Sequence, residues 1–267
     1  MKIYPLYSSS SGNSFCLETE NDNILIDCGV SYRALCNGLK SINKDISQIS
    51  SILITHEHSD HIKGIPNLLK KNNIPIYATD KTLEYIKDYS EHNGTSSDSL
   101  NNMYEIDYNK TFKLNDLDIT PFKISHDAVK PCGFCISEKG KTLTFSTDLG
   151  YVSQQNLEYM KMADFLVLEA NYDLSMLTYG PYPYPVKQRI ISDLGHLSND
   201  DTANTIFSLV SNNNKSKFLL AHLSQNNNMI DIAKQTIDIL LEKNGINLND
   251  VDINFATKKL SSEVYQI

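Results

Sequence analysis

The stretch Thr55-His56-Glu57-His58-Ser59-Asp60-His61 decides how the rest of the chain is read. Directly before it stands Ser51-Ile52-Leu53-Ile54, an apolar run with the length and residue types of a buried strand. After it, residues 62–71 carry apolar positions at helical spacing. The spacing predicts a histidine-rich loop that joins a strand end to a helix start, which is where open α/β sheets bind their ligands. Imidazole and carboxylate donors together suit zinc, manganese or iron, whereas calcium takes oxygen donors alone. A surface loop has no packing reason to collect such side chains.

The same arrangement recurs along the chain. Ile24-Leu25-Ile26 ends in Asp27, Ile52-Leu53-Ile54-Thr55 in His56, and the run 119–125 in His126. Leu143-Thr144-Phe145-Ser146-Thr147 ends in Asp148, Phe165-Leu166-Val167-Leu168 in Glu169, and Phe218-Leu219-Leu220-Ala221 in His222. In a layered sheet such ends can converge on one edge. Helical patterns cover residues 32–40, 81–89, 200–211 and 230–243. At the start, residues 3–7 and 15–18 read as strands. The run Ser8-Ser9-Ser10-Ser11-Gly12-Asn13-Ser14 between them is either a plain hairpin loop or a loop whose hydroxyls and amides face the site. Residues 92–102 read as a polar loop that carries a solvated His92, and residues 248–256 as a terminal strand. No linker or break in composition divides the chain, so a single domain over residues 1–267 is expected.

Bulk properties narrow the setting. The chain has 267 residues and a net charge of −8. The acidic balance argues against sequence-blind coating of nucleic acid and leaves room for a local basic groove. No apolar run is long enough to cross a membrane, and the start of the chain lacks the apolar core of a signal peptide. A cytoplasmic location with no membrane partner is expected. Five cysteines, an odd number, do not read as a disulfide framework. Cys132 and Cys135 have C-x-x-C spacing, but on a strand they face opposite sides, and no second pair completes a zinc site. They read as two buried thiols.

The H-x-H-x-D-H string resembles the signature of the metallo-β-lactamase-fold hydrolases. That resemblance implies an α/β fold of the αββα sandwich type, two mixed β-sheets flanked by helices. It also implies that His56, His58 and His126 hold one metal ion, that Asp60, His61 and His222 hold a second, and that Asp148 bridges both. The cofactors are then two divalent ions per chain, with zinc or manganese first and iron also suited. Two such ions bring more positive charge than Asp60, Asp148 and a bridging hydroxide cancel, so the centre can hold an anionic phosphodiester while hydroxide attacks phosphorus. Asp27 is expected to accept an N–H from a ligand histidine. Glu169 reads either the same way or as an ordinary polar strand end.

His196, in Asp193-Leu194-Gly195-His196-Leu197-Ser198-Asn199, is left over from the ligand set. Nuclease branches of the family, such as tRNase Z and RNase J, place a histidine before this helix. The resemblance therefore implies catalytic parts for Asp60 and His196, the latter touching the scissile phosphate or giving a proton to the leaving oxygen. The alternative is a helix-entry residue with no catalytic part. Tyr179-Gly180-Pro181-Tyr182-Pro183-Tyr184-Pro185-Val186-Lys187-Gln188-Arg189 reads as a loop that either stacks on bases or packs rigidly.

Ser-Thr-Asp-Leu-Gly, Glu-Ala-Asn-Tyr-Asp, Gly-His-Leu-Ser-Asn and Ala-His-Leu-Ser, taken with the serine run and the histidine string, are similar to the YycJ (WalJ) branch. That branch implies a metal-dependent nuclease, a 5′-to-3′ exonuclease on double-stranded DNA, with mismatch-repair partners. Only residues 149–195 separate Asp148 from His196, too few for the β-CASP insertion of larger relatives. Substrate must then be clamped by loops, by a homodimer partner or by another protein. A small-molecule thioester or lactone hydrolase of the same fold is the alternative. A diiron redox protein would carry Glu where His58 stands.

Overall fold

The computed structural model describes residues 1–211, 216–257 and 263–267. The chain divides into two compact units. Unit 1 comprises Met1–Pro121, Ala128–Cys132 and Thr257–Ile267, and unit 2 comprises Phe122–Asp127 and Gly133–Ala256. Among the described residues no helix is long and apolar enough to cross a membrane.

Unit 1 is built on strands β1 (Lys2–Ser9), β2 (Gly12–Glu18), β3 (Asn23–Ile26), β4 (Ser51–Leu53), β5 (Ile76–Thr79) and β6 (Met103–Ile106). They form a mixed sheet with β14 (Tyr265–Gln266) at one edge, in the order β14-β1-β2-β3-β4-β5-β6. The pairs from β14 to β3 are antiparallel and those from β3 to β6 parallel. Helices α1 (Tyr32–Ser41), α2 (Ser59–Ile62), α3 (Ile65–Leu69) and α4 (Asp80–His92) accompany it. Leu35 and Leu39 of α1, Ile65 and Leu68 of α3, and Leu83 and Ile86 of α4 recur every three or four residues within each helix. That stripe faces one core with Leu25, Ile52 and Ile76 of the sheet. Strands β7 (Phe112–Leu114) and β8 (Leu117–Lys123) form a hairpin that pairs Leu114 with Leu117.

In unit 2, β9 (Cys132–Glu138) and β10 (Lys141–Ser146) make a tight hairpin, with Lys139 and Gly140 both at positive φ. That turn matches the twist of the strands it joins. Strands β11 (Phe165–Glu169), β12 (Lys217–Ala221) and β13 (Ile253–Phe255) continue the sheet in parallel from β10. The sheet is therefore mixed as well. The helices here are α5 (Gln154–Lys161), α6 (Leu174–Tyr179), α7 (Tyr184–Ile191), α8 (Asn199–Val210) and α9 (Ile230–Lys243). Ala203, Ile206 and Leu209 of α8 and Ile237 and Leu241 of α9 pack with Leu166, Leu168, Phe218 and Leu220. The expected class, two mixed sheets flanked by helices, is the one observed.

Several local expectations need correction. The helix expected over residues 62–71 is two short helices, because Gly64 and Pro66 interrupt it. A Cβ at Gly64 would lie 2.5 Å from both Cys28 Sγ and the Val30 carbonyl oxygen, and Pro66 lacks the N–H a continuous helix needs. Asp60 and His61 lie inside the first of these helices rather than on a loop. Most of the serine run is strand, paired Ser9 to Gly12 and Ser8 to Asn13, which leaves only Ser10 and Ser11 as the turn. Of the segment 179–189 only residues 180–183 form a loop; residues 184–189 belong to α7, where Pro185 sits in the first turn and its fixed φ favours the helix. His92 is solvated as expected, but it closes α4 instead of opening a loop. Strand structure in 248–256 is confined to β13.

Candidate metal centre

In unit 1 the donor groups grow from neighbouring strand ends. Parallel pairing of Ile26 with Leu53 brings Asp27 beside Thr55, and both are buried. One Asp27 oxygen accepts the Thr55 amide at 2.9 Å, and the other lies 2.7 Å from His61 Nδ1. A carboxylate in this position can only accept, so His61 carries its proton on Nδ1 and turns Nε2 outward as a lone-pair donor. The Thr55 hydroxyl reaches Asp27 at 2.9 Å and His56 Nδ1 at 3.0 Å. Its single proton goes to the carboxylate. It therefore accepts from His56 Nδ1, and His56 also presents Nε2. The rings of His56 and His61 are 4.1 Å apart and those of His56 and His58 4.7 Å. Asp60 Oδ2 stands 3.5 Å from His61 Nε2. Asn13 Nδ2 lies 3.2 Å from that oxygen and 3.1 Å from that nitrogen, so an amide of the serine run meets the cluster.

In unit 2 the parallel, in-register strands β10, β11 and β12 set Asp148, Glu169 and His222 side by side. Glu169 is fully buried. Its Oε1 accepts from His196 Nδ1 at 2.8 Å and His222 Nδ1 at 2.7 Å, and its Oε2 accepts the amides of Leu149 at 3.0 Å and Leu197 at 3.2 Å. Burial pushes the Glu169 carboxyl up, but the two imidazoles outweigh it and hold the group below the usual carboxylate range. With both Nδ1 protons spent on Glu169, His196 and His222 present Nε2. His126 gives its Nδ1 proton to the Gly195 carbonyl at 3.0 Å and presents Nε2 too. Asp148 Oδ1 lies 3.3 Å from His222 Nδ1 and 4.0 Å from His126 Nε2. Donor atoms of Asp148, Glu169, His196 and His222 all fall within 4.8 Å of one another. Each Glu169 oxygen already accepts two N–H groups, so Glu169 orients the imidazoles of His196 and His222.

Unit 1 thus gathers His56, His58, Asp60 and His61, and unit 2 gathers His126, Asp148, His196 and His222. Asp27 accepts from His61 Nδ1, and Glu169 does the same for His196 and His222. Thr55, Asn171 and the Gly195 carbonyl have no assignment in the sequence, whereas Asn13 belongs to the serine run, one reading of which has its amides facing the site. Asn171 Nδ2 donates to the His222 carbonyl oxygen at 2.9 Å. Only Asn13 had a sequence signal, its place in the serine run. Cys132 and Cys135 are buried and form no disulfide, and burial pushes both thiols up, away from the reactive thiolate.

The donor set fits divalent transition metals. Each unit brings three imidazoles and one carboxylate, the types zinc, manganese and iron prefer. The Nδ1–H of four of those imidazoles, His56, His61, His126 and His222, is tied to a named acceptor.

The sequence matches the β-lactamase superfamily domain over residues 22–222. It is 40% identical over 232 residues to the exodeoxyribonuclease WalJ of Streptococcus pneumoniae, covering 87% of this chain and 85% of the relative. It is 33% identical over 263 residues to the exodeoxyribonuclease YycJ of Bacillus anthracis, covering 98% of this chain and 97% of the relative. Among solved structures, the metallo-β-lactamase fold protein YhfI from Bacillus subtilis superposes with a TM-score of 0.72 at 16% identity, covering 99% of this chain and 98% of the other. That likeness concerns the fold alone.

Proposed function

The chain belongs to the β-lactamase superfamily, in the family of the WalJ and YycJ exodeoxyribonucleases, and from that premise we propose that it is a metal-dependent exodeoxyribonuclease acting on double-stranded DNA from 5′ ends. The observation that carries the proposal is that four of its imidazoles have Nδ1 against a fixed acceptor. His56, His61, His126 and His222 each spend the Nδ1 proton on a fixed acceptor and keep Nε2 for a ligand. In this reading His56, His58 and His126 hold one divalent ion, Asp60, His61 and His222 a second, and Asp148 serves both. Zinc or manganese suits these donors, and iron is the alternative. When bound, such ions supply Lewis acidity and bring the pKa of water to near 7.

The chain's own groups do the rest. Asp27 and Glu169 keep the ligands aimed. The Asp60 side chain is 22% exposed against 3% for Asp148, so Asp60 is the carboxylate open to the attacking water and able to take its proton. His196, held by Glu169 through Nδ1, offers Nε2 to protonate the leaving oxygen. The net charge of −8 favours delivery to DNA by another protein, such as a mismatch-repair partner, in the cytoplasm, and a second copy of this chain would serve as a clamp and not as a source of positive charge.

Duplexes labelled separately at the 5′ and 3′ ends test the reading. Zinc- or manganese-loaded protein is expected to release the 5′ label first as mononucleotide. His58→Ala should abolish cleavage and lower the bound metal measured by mass spectrometry. Adding a chelator should lower the melting temperature of the parent protein, since a ligand that binds only the native state stabilises it. Undiminished cleavage by pure His58→Ala protein would refute the assignment.

A further inference from the structure

Two exposed tyrosines flank the turn between α6 and α7, Tyr179 as the last residue of α6 and Tyr184 as the first of α7. Tyr179 is 88% exposed and Tyr184 72%. Exposed rings on a slack loop would mean little, but this turn is braced from several directions. Lys187 Nζ donates to the carbonyl oxygens of Thr178 at 2.7 Å and Gly180 at 2.8 Å. Asn226 Nδ2 donates to the Tyr182 hydroxyl at 3.1 Å, and the Tyr182 ring packs against Tyr172, Leu177 and Ile190. Asp173 caps α6 by accepting the Met176 amide at 2.8 Å.

The turn is also continuous with the metal ligands of unit 2. Arg189 of α7 forms a two-pronged ion pair with Asp127, the residue after His126, with Nη2 to Oδ1 at 2.9 Å. The segment that follows holds the His126 loop at three further points. Ser125 Oγ donates to the Asp193 carbonyl at 2.6 Å, the Asp127 amide to the Leu194 carbonyl at 3.0 Å, and His126 Nδ1 to the Gly195 carbonyl at 3.0 Å. His196 comes next in the chain. One rigid run therefore presents two bare aromatic faces, orients a ligand histidine and carries the proposed acid.

Charge decides what those faces take. Lys187 is committed to backbone carbonyls and Arg189 to a carboxylate, so this run is not arranged as a phosphate clamp. Aromatic faces bind bases by stacking, which needs no net charge and is indifferent to sequence. We propose that Tyr179 and Tyr184 form a nucleobase-stacking platform that holds an unpaired base at the end of the DNA substrate. This rests on the nuclease reading for the identity of the strand, but not for the stacking itself.

The test is binding in metal-free buffer with chelator, so that no cleavage intervenes. The probe is an oligodeoxynucleotide duplex with a short single-stranded end bearing 2-aminopurine, compared with the same duplex whose overhang is abasic. The parent protein should quench the probe and bind the base-bearing overhang about tenfold more tightly than the abasic one. The double variant Tyr179→Ala with Tyr184→Ala should lose both effects, and Tyr179→Trp with Tyr184→Trp should keep them. Equal affinity for the two overhangs in the parent protein overturns the proposal. So does an alanine variant that changes the sedimentation of a dimer while base preference stays intact, because the occupant is then a second copy. A parent protein that discriminates the overhangs yet never cleaves DNA would sink the nuclease reading and leave the platform standing. Cleavage without discrimination would do the reverse.

Discussion

Asp27, Asp148 and His222 each follow a strand with the backbone in the left-handed region, at φ 63°, 59° and 57°. A side chain other than glycine pays on the order of 1–3 kcal/mol for such a conformation. Asp, Asn and His tolerate it better than most residues. The bend turns each side chain off the end of its strand, so the strain and the position of the donor have one origin. Asn and Ala at position 148 separate the two effects. Asp148→Asn should unfold in urea close to the parent protein, and Asp148→Ala about 1 kcal/mol earlier, while both lose DNA cleavage. Glu169 makes a second case at this scale. It accepts four N–H groups, and Glu169→Gln replaces one acceptor oxygen with a donor. Metal affinity should fall about 10- to 100-fold, read by competition with a chromogenic chelator.

Elements place these residues by close approach. Helix α2 begins where it does because Gly29 has no side chain. A Cβ there would lie 1.5 Å from the Asp60 carbonyl oxygen and 2.8 Å from the Asn13 amide nitrogen. The backbone after β3 and the first turn of α2 thus touch, which is how Asp27 reaches His61 across the sequence. Gly29→Ala must push α2 away. It should lower stability by about 1–3 kcal/mol in urea titrations and reduce metal uptake, although no ligand has been changed. Larger effects on metal than on stability would locate the damage at the His61 end of α2.

At the scale of the whole molecule, each unit is assembled from stretches that are distant in sequence, and one ion-pair cluster ties the start of unit 1 together. Glu18 on β2 meets Lys2 at 2.8 Å and Lys44 at 2.5 Å. Burial pushes its carboxyl up, but the two ammonium groups more than reverse this and bring it from 4.5 to about 2. A carboxyl lowered in the folded state stabilises the fold fully above its ordinary value, and that contribution is lost as pH falls from 4.5 toward about 2. Glu18→Gln should therefore be less stable than the parent at pH 7, and the gap in urea midpoint should close toward pH 2.5. The sequence was informative wherever periodicity or residue type acts locally. It marked the strand-end donors, the helices α1, α4, α8 and α9 within a few residues, and the two buried thiols of Cys132 and Cys135. It misread residues 62–71 and 179–189, because the break at Gly64 depends on contact with Cys28 and Val30, and the start of α7 on proline geometry rather than apolar spacing. By itself the sequence determined which side chains are able to bind a cation, since donor chemistry belongs to the residue. Tertiary structure alone decided which nitrogen of His61, His126, His196 and His222 keeps its proton, because the acceptors at Asp27, Gly195 and Glu169 are brought there by strand pairing and loop contacts that no local pattern encodes.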